Sequence, residues 1–293
     1  MRLKKAVARQ PRPHRAVKSA PIHRSPVAWR SPQLNDSLTV VLGGRGKPFR
    51  VIRSGAEAFW ISASGGRWDP ETFRVFDRFL SSTASYIDVG SWIGPTLLYG
   101  CQLARAAYGI EPDPVAYAEL RKNIQLNASL AANVNIYNVC IATTSGSVKF
   151  GSRAEGGDSM SSLLFADQGK TVWNVAALRF EDFVKKANVT DCSFIKIDIE
   201  GGEYQLLSSI APWLNKCRPT LYLSFHPCFL FRPSSRGWVS WSVRTAYGFL
   251  KTFSLLRTLR FYYDACGGRL TTLRTLRLVC RGTFPILATD EQW

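Results

Sequence analysis

Negative charge is scarce in this sequence: 21 Asp and Glu stand against 38 Lys and Arg over 293 residues, for a formal net charge of +17. The deficit sits at the two ends. Residues 1–32 hold nine Lys and Arg and no acid, residues 230–293 hold ten against three acids, and residues 33–229 hold nineteen against eighteen. A near-neutral middle argues against a nucleic-acid groove across the body of the protein, because such a groove needs clustered cations to meet phosphates. Paired cysteines are missing too. The seven cysteines (Cys101, Cys140, Cys192, Cys217, Cys228, Cys266 and Cys280) are odd in number and show no Cys-x-x-Cys spacing. That excludes a zinc knuckle or a disulfide framework and suits reduced, cytoplasmic thiols. No run is long and apolar enough to span a bilayer; the long uncharged stretch from Asn123 to Val148 is studded with Asn, Ser and Thr. Histidine is sparse. Of the three, His14 and His23 lie near the start, so His226 alone falls in the body of the chain.

From Met1 to Gln33 the chain is rich in Arg, Pro and Ala without hydrophobic periodicity, so it cannot offset the entropy of ordering and reads as a disordered basic tail. Its composition is also that of an organellar transit peptide, but Pro11, Pro13, Pro21 and Pro26 spoil an amphipathic helix, and no apolar core of a secretory signal follows the charges.

The organising stretch is Tyr86-Ile87-Asp88-Val89-Gly90-Ser91-Trp92-Ile93-Gly94, a buried strand that breaks into a glycine-spaced turn and opens a helix. Glycines let backbone approach a ligand closely, and the N–H groups of a helix start point at bound polar atoms. A second short run, Ala106 to Ile110, ends in Glu111, placed to accept hydrogen bonds from both ribose hydroxyls of an adenosine. A small N-terminal β layer precedes these, with runs at Leu38–Leu42, Phe49–Ile52 and Phe59–Ile61; Asp69-Pro70-Glu71 then starts a helix with Asp69 as its cap and Phe73, Phe76, Phe79 and Leu80 as its apolar face. Pro112-Asp113-Pro114 starts another helix, bearing Tyr117, Leu120, Ile124 and Leu126. Val134 to Ile141 reads as one strand, and the Gly- and Ser-rich stretch from Gly151 through Ser162 as an irregular loop near the ligand.

Phe194 to Ile199 is a further strand, on which alternation puts Lys196, Asp198 and Glu200 on one side. Charges at the carboxyl end of a buried parallel strand are expected where the sheet opens on a site, and Gly201-Gly202 then turns the chain into a helix at Glu203. Thr220 to Phe225 ends in His226-Pro227, which makes His226 a candidate base. Leu259–Tyr263 and Pro285–Ala288 are closing strands; between them and His226, the residues Val239, Val243, Ala246, Leu250, Phe253 and Leu256 form a helical stripe.

Taken in order, Asp88-Val89-Gly90-Ser91-Trp92-Ile93-Gly94, Glu111-Pro112-Asp113-Pro114, Asn123-Ile124 and Ile195-Lys196-Ile197-Asp198-Ile199-Glu200-Gly201-Gly202-Glu203 resemble the successive motifs of the FkbM-type S-adenosylmethionine-dependent methyltransferases, over roughly Trp68 to Pro227. The resemblance implies an α/β fold: a seven-stranded, mostly parallel class I methyltransferase (Rossmann-like) sheet with helices on both faces. The division of the chain is then a tail at 1–33, the β layer at 34–68 and the methyltransferase domain at 69–293. Implied with it is S-adenosylmethionine as cofactor and methylation of a hydroxyl on a sugar, glycan or polyketide-like natural product. Asp88, Gly90, Ser91, Gly94, Glu111, Pro112, Asn138 and Cys140 become the cofactor-binding candidates, and Lys196, Asp198 and His226 the catalytic ones. Two residues depart from the family pattern: Trp92 stands where a small polar residue is usual, and Ser224 where members often have Glu.

A divalent cation on Asp198 and Glu200 is compatible with their oxygen chemistry but is not expected. Two other classes stay open. A nicotinamide oxidoreductase uses the same strand-turn-helix, although Trp92 occupies the place of its middle glycine. A non-catalytic membrane or polyanion adaptor would rest on the basic ends. The 239–256 stripe, with Arg244, Lys251, Arg257, Trp238 and Trp241, allows peripheral contact with an anionic membrane carrying the acceptor.

Overall fold

Residues 36–153, 155–159, 161–167, 169–226, 254, 259–271, 274–275, 278 and 283–293 are described by a computed structural model. The chain begins with a hairpin of β1 (Ser37–Val40) and β2 (Phe49–Ile52), followed by α1 (Glu57–Ser64) and α2 (Pro70–Phe79). Then come β3 (Ser85–Val89), α3 (Pro95–Gly100), β4 (Ala106–Ile110), α4 (Pro114–Gln125), the single turn α5 (Ala128–Ala131) and β5 (Val134–Tyr137). Next are β6 (Cys140–Ile141), β7 (Gly146–Ser152), β8 (Thr171–Leu178), α6 (Phe180–Lys186), β9 (Cys192–Ile197), α7 (Glu203–Cys217), β10 (Thr220–Phe225), β11 (Phe261–Tyr263) and β12 (Phe284–Thr289).

The central sheet has seven strands in the order β11-β12-β10-β9-β3-β4-β5. β3 pairs parallel with both β4 and β9, β4 with β5, and β9 with β10; β12 alone runs the other way, antiparallel to β10 and β11. The sheet is therefore mostly parallel, as the resemblance implies. The two-residue period of the strands sorts their side chains into two cores. Tyr86, Phe194, Tyr222 and Leu287 enter the cluster that holds Phe73 and Phe76 of α2, Leu97 and Leu98 of α3 and Leu120 of α4. Their neighbours Ile87, Ile195, Leu221 and Ile286 enter the other, with Phe183 of α6 and Leu206, Leu207 and Ile210 of α7. Helices thus cover both faces. Val40, Phe49, Val51 and Trp60 of the N-terminal layer belong to the first core, on the α2–α4 side.

Several local expectations are corrected. Phe59–Ile61 is not a strand but part of α1. Trp60 and Ala63, three apart, are its buried positions, Phe59 packs beside them on Trp60, Trp68 and Trp92, and the Ser54 hydroxyl accepts the N–H of Ala56 at 3.2 Å. The burial therefore has a helical period, which β-prone aromatics masked. Val134 to Ile141 is two strands, because Asn138 leaves the sheet to donate its amide to the Glu111 and Pro112 carbonyls at 2.8 and 3.1 Å. β6 then joins a separate sheet, β6-β8-β7; β7 takes only Gly151 and Ser152 from the expected loop, whose other described residues up to Ser162 belong to no strand or helix. At the start of α2, Asp69 makes no side-chain cap to the backbone; its carboxylate accepts the Thr72 hydroxyl at 2.5 Å, and its own backbone is left-handed at φ 43. The turn after β9 uses left-handed Glu200 (φ 53) and Gly201 (φ 98), whereas Gly202 is ordinary at φ −76. The stripe residues Val239, Val243, Ala246, Leu250, Phe253 and Leu256 and the expected tail at 1–33 lie outside the described residues. Among the described residues, no helix is long and apolar enough to cross a membrane.

Candidate active site

Three adjacent parallel strands, β4, β3 and β9, end at the same edge of the sheet, and β10 follows beside β9. Ligands of open α/β sheets sit outside such carboxyl ends. Here they open on a cavity of about 380 Å³ lined by Gly90, Ser91, Trp92, Glu111, Pro112, Lys196, Asp198, Glu200 and His226, with Phe59, Trp68 and Asp69 from the N-terminal part and Asp158, Ser159 and Ser161 from the loop after β7. The volume suits one small-molecule ligand.

The turn after β3 is shaped by contact. Gly90, at φ 86, runs so close to β9 that a Cβ there would stand 1.8 Å from the Asp198 carbonyl oxygen. Only glycine fits. The Ser91 hydroxyl donates to the Asp88 carbonyl at 3.0 Å and accepts the Ile110 N–H at 3.1 Å, tying the turn to the end of β4. Trp92, left-handed at φ 48, donates its backbone N–H to Glu111 Oε2 at 2.7 Å and its indole N–H to the Gly157 carbonyl at 2.7 Å. Its ring, packed edge-on against Phe59, is a wall of the cavity. The other Glu111 oxygen accepts the Asp113 N–H at 2.8 Å. Burial pushes the Glu111 carboxyl up to about 8 in spite of these two donors. Asp113 caps α4 through Oδ1, accepting from Val115 and Ala116, while its Oδ2 accepts from Gly157 N–H and the Ser161 hydroxyl. One carboxylate thus starts a helix and seats the loop over the cavity. Buried Asn123 takes the Ile52 N–H at 2.8 Å and gives its amide to the Ile93 carbonyl at 2.9 Å, fastening the N-terminal hairpin to the same turn.

The end of β9 is a charge cluster. Lys196, 4% exposed, donates to Asp88 Oδ1 and to the Gly90 carbonyl, both at 3.1 Å, and lies 3.8 Å from Asp198. Burial opposes its charge, but Asp88 and then Asp198 outweigh that and hold its pKa above the ordinary value. It stays a cation and bridges the ends of β3 and β9. Asp88 is itself fully buried, with Thr96 donating to its other oxygen at 2.7 Å. His226 places Nδ1 3.0 Å from Glu203 Oε1 and Nε2 3.7 Å from Asp198 and 3.6 Å from Glu200. Burial works against its charge; the Glu203 bond and the three carboxylates win and push it up to about 9. Burial likewise pushes Glu200 up to about 7, His226 offsetting part of the rise.

Of the sequence candidates, the structure brings Gly90, Ser91, Glu111, Pro112, Lys196, Asp198 and His226 to one cavity. It keeps four off the wall. Asp88 is sequestered by Lys196 and Thr96, Gly94 (φ 107) starts α3 against Leu120, Asn138 braces the Glu111-Pro112 backbone, and buried Cys140 packs with Phe150 and Val175 in the small sheet. Glu203, Trp68, Asp69 and Asp158 were not marked as site residues by the sequence, where Asp69 and Glu203 stood only as helix starts. Only Glu203 carried a signal, since it closes the charged block after β9.

These shifts share one sign. Glu111 and Glu200 keep protons in the fold that they lose near 4.5 when unfolded, and His226 holds its proton up to about 9 against 6.5 unfolded. The unfolded chain therefore binds fewer protons between these values, and stability falls as pH rises. The urea midpoint is expected to be lower at pH 9 than at pH 6; a midpoint that rises over that range would contradict the burial of these groups.

Residues 88–251 match the family described as the methyltransferase FkbM domain. Among solved structures, the chain is similar to methyltransferase FkbM from Methylobacillus flagellatus KT, at 16% identity and a TM-score of 0.42, over 71% of this chain and 44% of that one. It therefore spans less than half of that protein. SMU.1697c from Streptococcus mutans, in complex with SAH, is similar at 10% identity and a TM-score of 0.39, over 73% of this chain and 93% of its own. A TehB-like SAM-dependent methyltransferase from Corynebacterium glutamicum ATCC 13032 Kitasato follows at 13% and 0.39, over 80% and 96%. No curated protein matches the chain.

Proposed function

The chain belongs to the methyltransferase FkbM domain family, and from that premise we propose that it transfers methyl from S-adenosylmethionine to a hydroxyl of a sugar, glycan or polyketide-like acceptor. The observation that carries this reading is one cavity bounded by a glycine turn, a buried acid at the next strand end and a charged cluster at the third. The bound cofactor supplies an electrophilic methyl group on a sulfonium. The residues fit such a ligand: Gly90 and Ser91 bring the backbone of the turn to the cavity wall, and the Glu111 carboxyl, deprived of water, is stabilised as an anion by two donating ribose hydroxyls. Asp88 acts through Lys196 instead of touching the ligand.

On the acceptor side, Asp198 and His226 hold the reacting hydroxyl, and its proton passes to the Asp198 carboxylate as the oxygen attacks. His226 carries its own proton in the free site, so it serves as a charged partner and not as the first base. Phe59, Trp68 and Trp92 give the cavity an aromatic wall on which a sugar or a planar ring can lie. Holding acceptor and methyl in line contributes ~7–11 kcal/mol to lowering the barrier.

Calorimetry with S-adenosylmethionine, and with NAD as control, tests the reading: binding of NAD alone would overturn it. Glu111→Ala is expected to weaken cofactor binding by ~1.5–3 kcal/mol, roughly 10- to 150-fold, as hydrogen bonds to a charged group are lost. Glu111→Gln, which keeps one acceptor, should fall between. Unchanged affinity in a folded Ala variant would remove Glu111 from the site.

A further inference from the structure

We propose that Asp198, Glu200 and His226 form a binding site for a single divalent metal ion at the acceptor end of the cavity. One donor atom from each converges, all within 4.8 Å of one another, and the imidazole Nε2 lies 3.7 Å from Asp198 Oδ1 and 3.6 Å from Glu200 Oε2. Hard divalent ions hold their ligands at ~2.0–2.6 Å, which sets neighbouring donors roughly 2.8–3.7 Å apart. Side-chain rotation closes the rest, and the ion takes the place of the proton that Nε2 carries in the free site, which is released to solvent. Two carboxylates with one imidazole suit an ion of intermediate hardness such as Mn²⁺.

Two observations separate this group from a chance gathering of acids. Asp198 Oδ1, the atom that faces His226, is buried and makes no hydrogen bond. A carboxylate oxygen so placed is costly until a cation or a donor meets it. The second concerns aim. Glu203 is fully buried and accepts the N–H groups of Ile199 at 3.3 Å and Gly201 at 3.1 Å, so its carboxylate is fixed by the backbone of the very loop that carries Glu200. From there Oε1 holds His226 Nδ1 at 3.0 Å and turns Nε2 toward the two carboxylates. A carboxylate on the far nitrogen is how a ligating histidine is oriented. The charges agree with this arrangement: Asp198, Glu200 and Glu203 surround one imidazole, and the neighbouring Lys196 donates to Asp88 and the Gly90 carbonyl and lies 3.8 Å from Asp198 Oδ2, on the side away from His226.

Asp198, Glu200 and His226 all line the cavity, so the open positions of the ion face it and take oxygen donors of the acceptor. Ligation through Asp198 Oδ1 leaves Oδ2 for the acceptor's proton. The role of the ion rests on the methyl-transfer reading; the site itself rests on the side chains alone.

The test uses the full chain, stripped with a chelator and free of S-adenosylmethionine, titrated with MnCl₂ and followed by the electron paramagnetic resonance of the free ion. One Mn²⁺ per chain is expected, with affinity at least tenfold weaker in Asp198→Asn and in Glu200→Gln. Glu203→Gln removes no ligand, so a ten- to hundredfold weakening there, in a variant with wild-type circular dichroism, reports the orientation of the imidazole and not bulk charge. No stoichiometric uptake by the wild-type chain, or uptake that survives Asp198→Asn and Glu200→Gln together, overturns the site. Titration of the same preparation with S-adenosylmethionine separates the two readings. A chain that takes up the cofactor but not Mn²⁺ loses the ion site and keeps methyl transfer, and one that takes up Mn²⁺ alone does the reverse.

Discussion

Lys196→Met is expected to destabilise the protein by ~3–5 kcal/mol, the effect of leaving one partner of a buried ion pair alone. Asp88 has no exposed surface and would keep only the Thr96 hydroxyl, while the Gly90 carbonyl would lose its ammonium donor. The damage reaches the site, because that ammonium holds together the ends of β3 and β9 where the cavity opens. Urea denaturation measures the loss. The pair is also separable by a second variant: Asp88→Asn with Lys196→Met removes both charges, and replacing a buried pair by neutral groups is close to neutral. The double variant should therefore recover much of what the single one loses. A single variant within about 1 kcal/mol of wild type would show that the pair carries little of the fold's stability.

The second large effect is on rate. Asp198→Asn keeps the size of the side chain but takes away its ability to accept a proton. General acid–base groups contribute about 10²- to 10⁴-fold. Single-turnover transfer from methyl-labelled S-adenosylmethionine to a panel of sugar and polyketide hydroxyls should slow by that factor, while the calorimetric affinity for the cofactor stays within a few-fold. A loss confined to turnover marks a group acting on the acceptor. Turnover at the wild-type level would take Asp198 out of the chemistry, and an equal loss of cofactor affinity would move it to the cofactor's side.

The family blocks and the strands that carry them were legible in the sequence because their signals are local. Tyr86–Val89 and Phe194–Ile197 are apolar runs of strand length that end in glycine or charge, and a parallel strand buried on both faces has no other composition available to it. Glu111 could be marked from its distance to the glycine turn alone, and all seven strands of the large sheet were marked by their apolar character. Where the reading went astray, the deciding contact was distant. Phe59–Ile61 has β-prone residues, but its aromatic face packs on Trp68 and Trp92, and that packing wants the helical period. Val134–Ile141 is apolar apart from Asn135 and Asn138, and Asn138 breaks it to brace a backbone 26 and 27 residues away.

The same division holds at the site. Residue types, their order and their positions at strand ends belong to the sequence by itself, and they were enough for an α/β fold and for bringing Glu111 and the charged end of β9 to one cavity. The partner that each charge takes was decided only by the tertiary structure. Asp88 and Lys196 are 108 positions apart and pair at the ends of β3 and β9, so Asp88 lies off the cavity wall and Lys196 lines the cavity with its ammonium already paired. Glu203 and His226 are 23 apart, and their bond turns a lone histidine from an expected base into a protonated, oriented member of a cluster with Asp198 and Glu200. Charge and hydrogen-bonding capacity are written in single residues, but a pKa and an aim depend on burial and on what lies within a few ångströms, which the chain acquires only when distant strand ends are brought side by side.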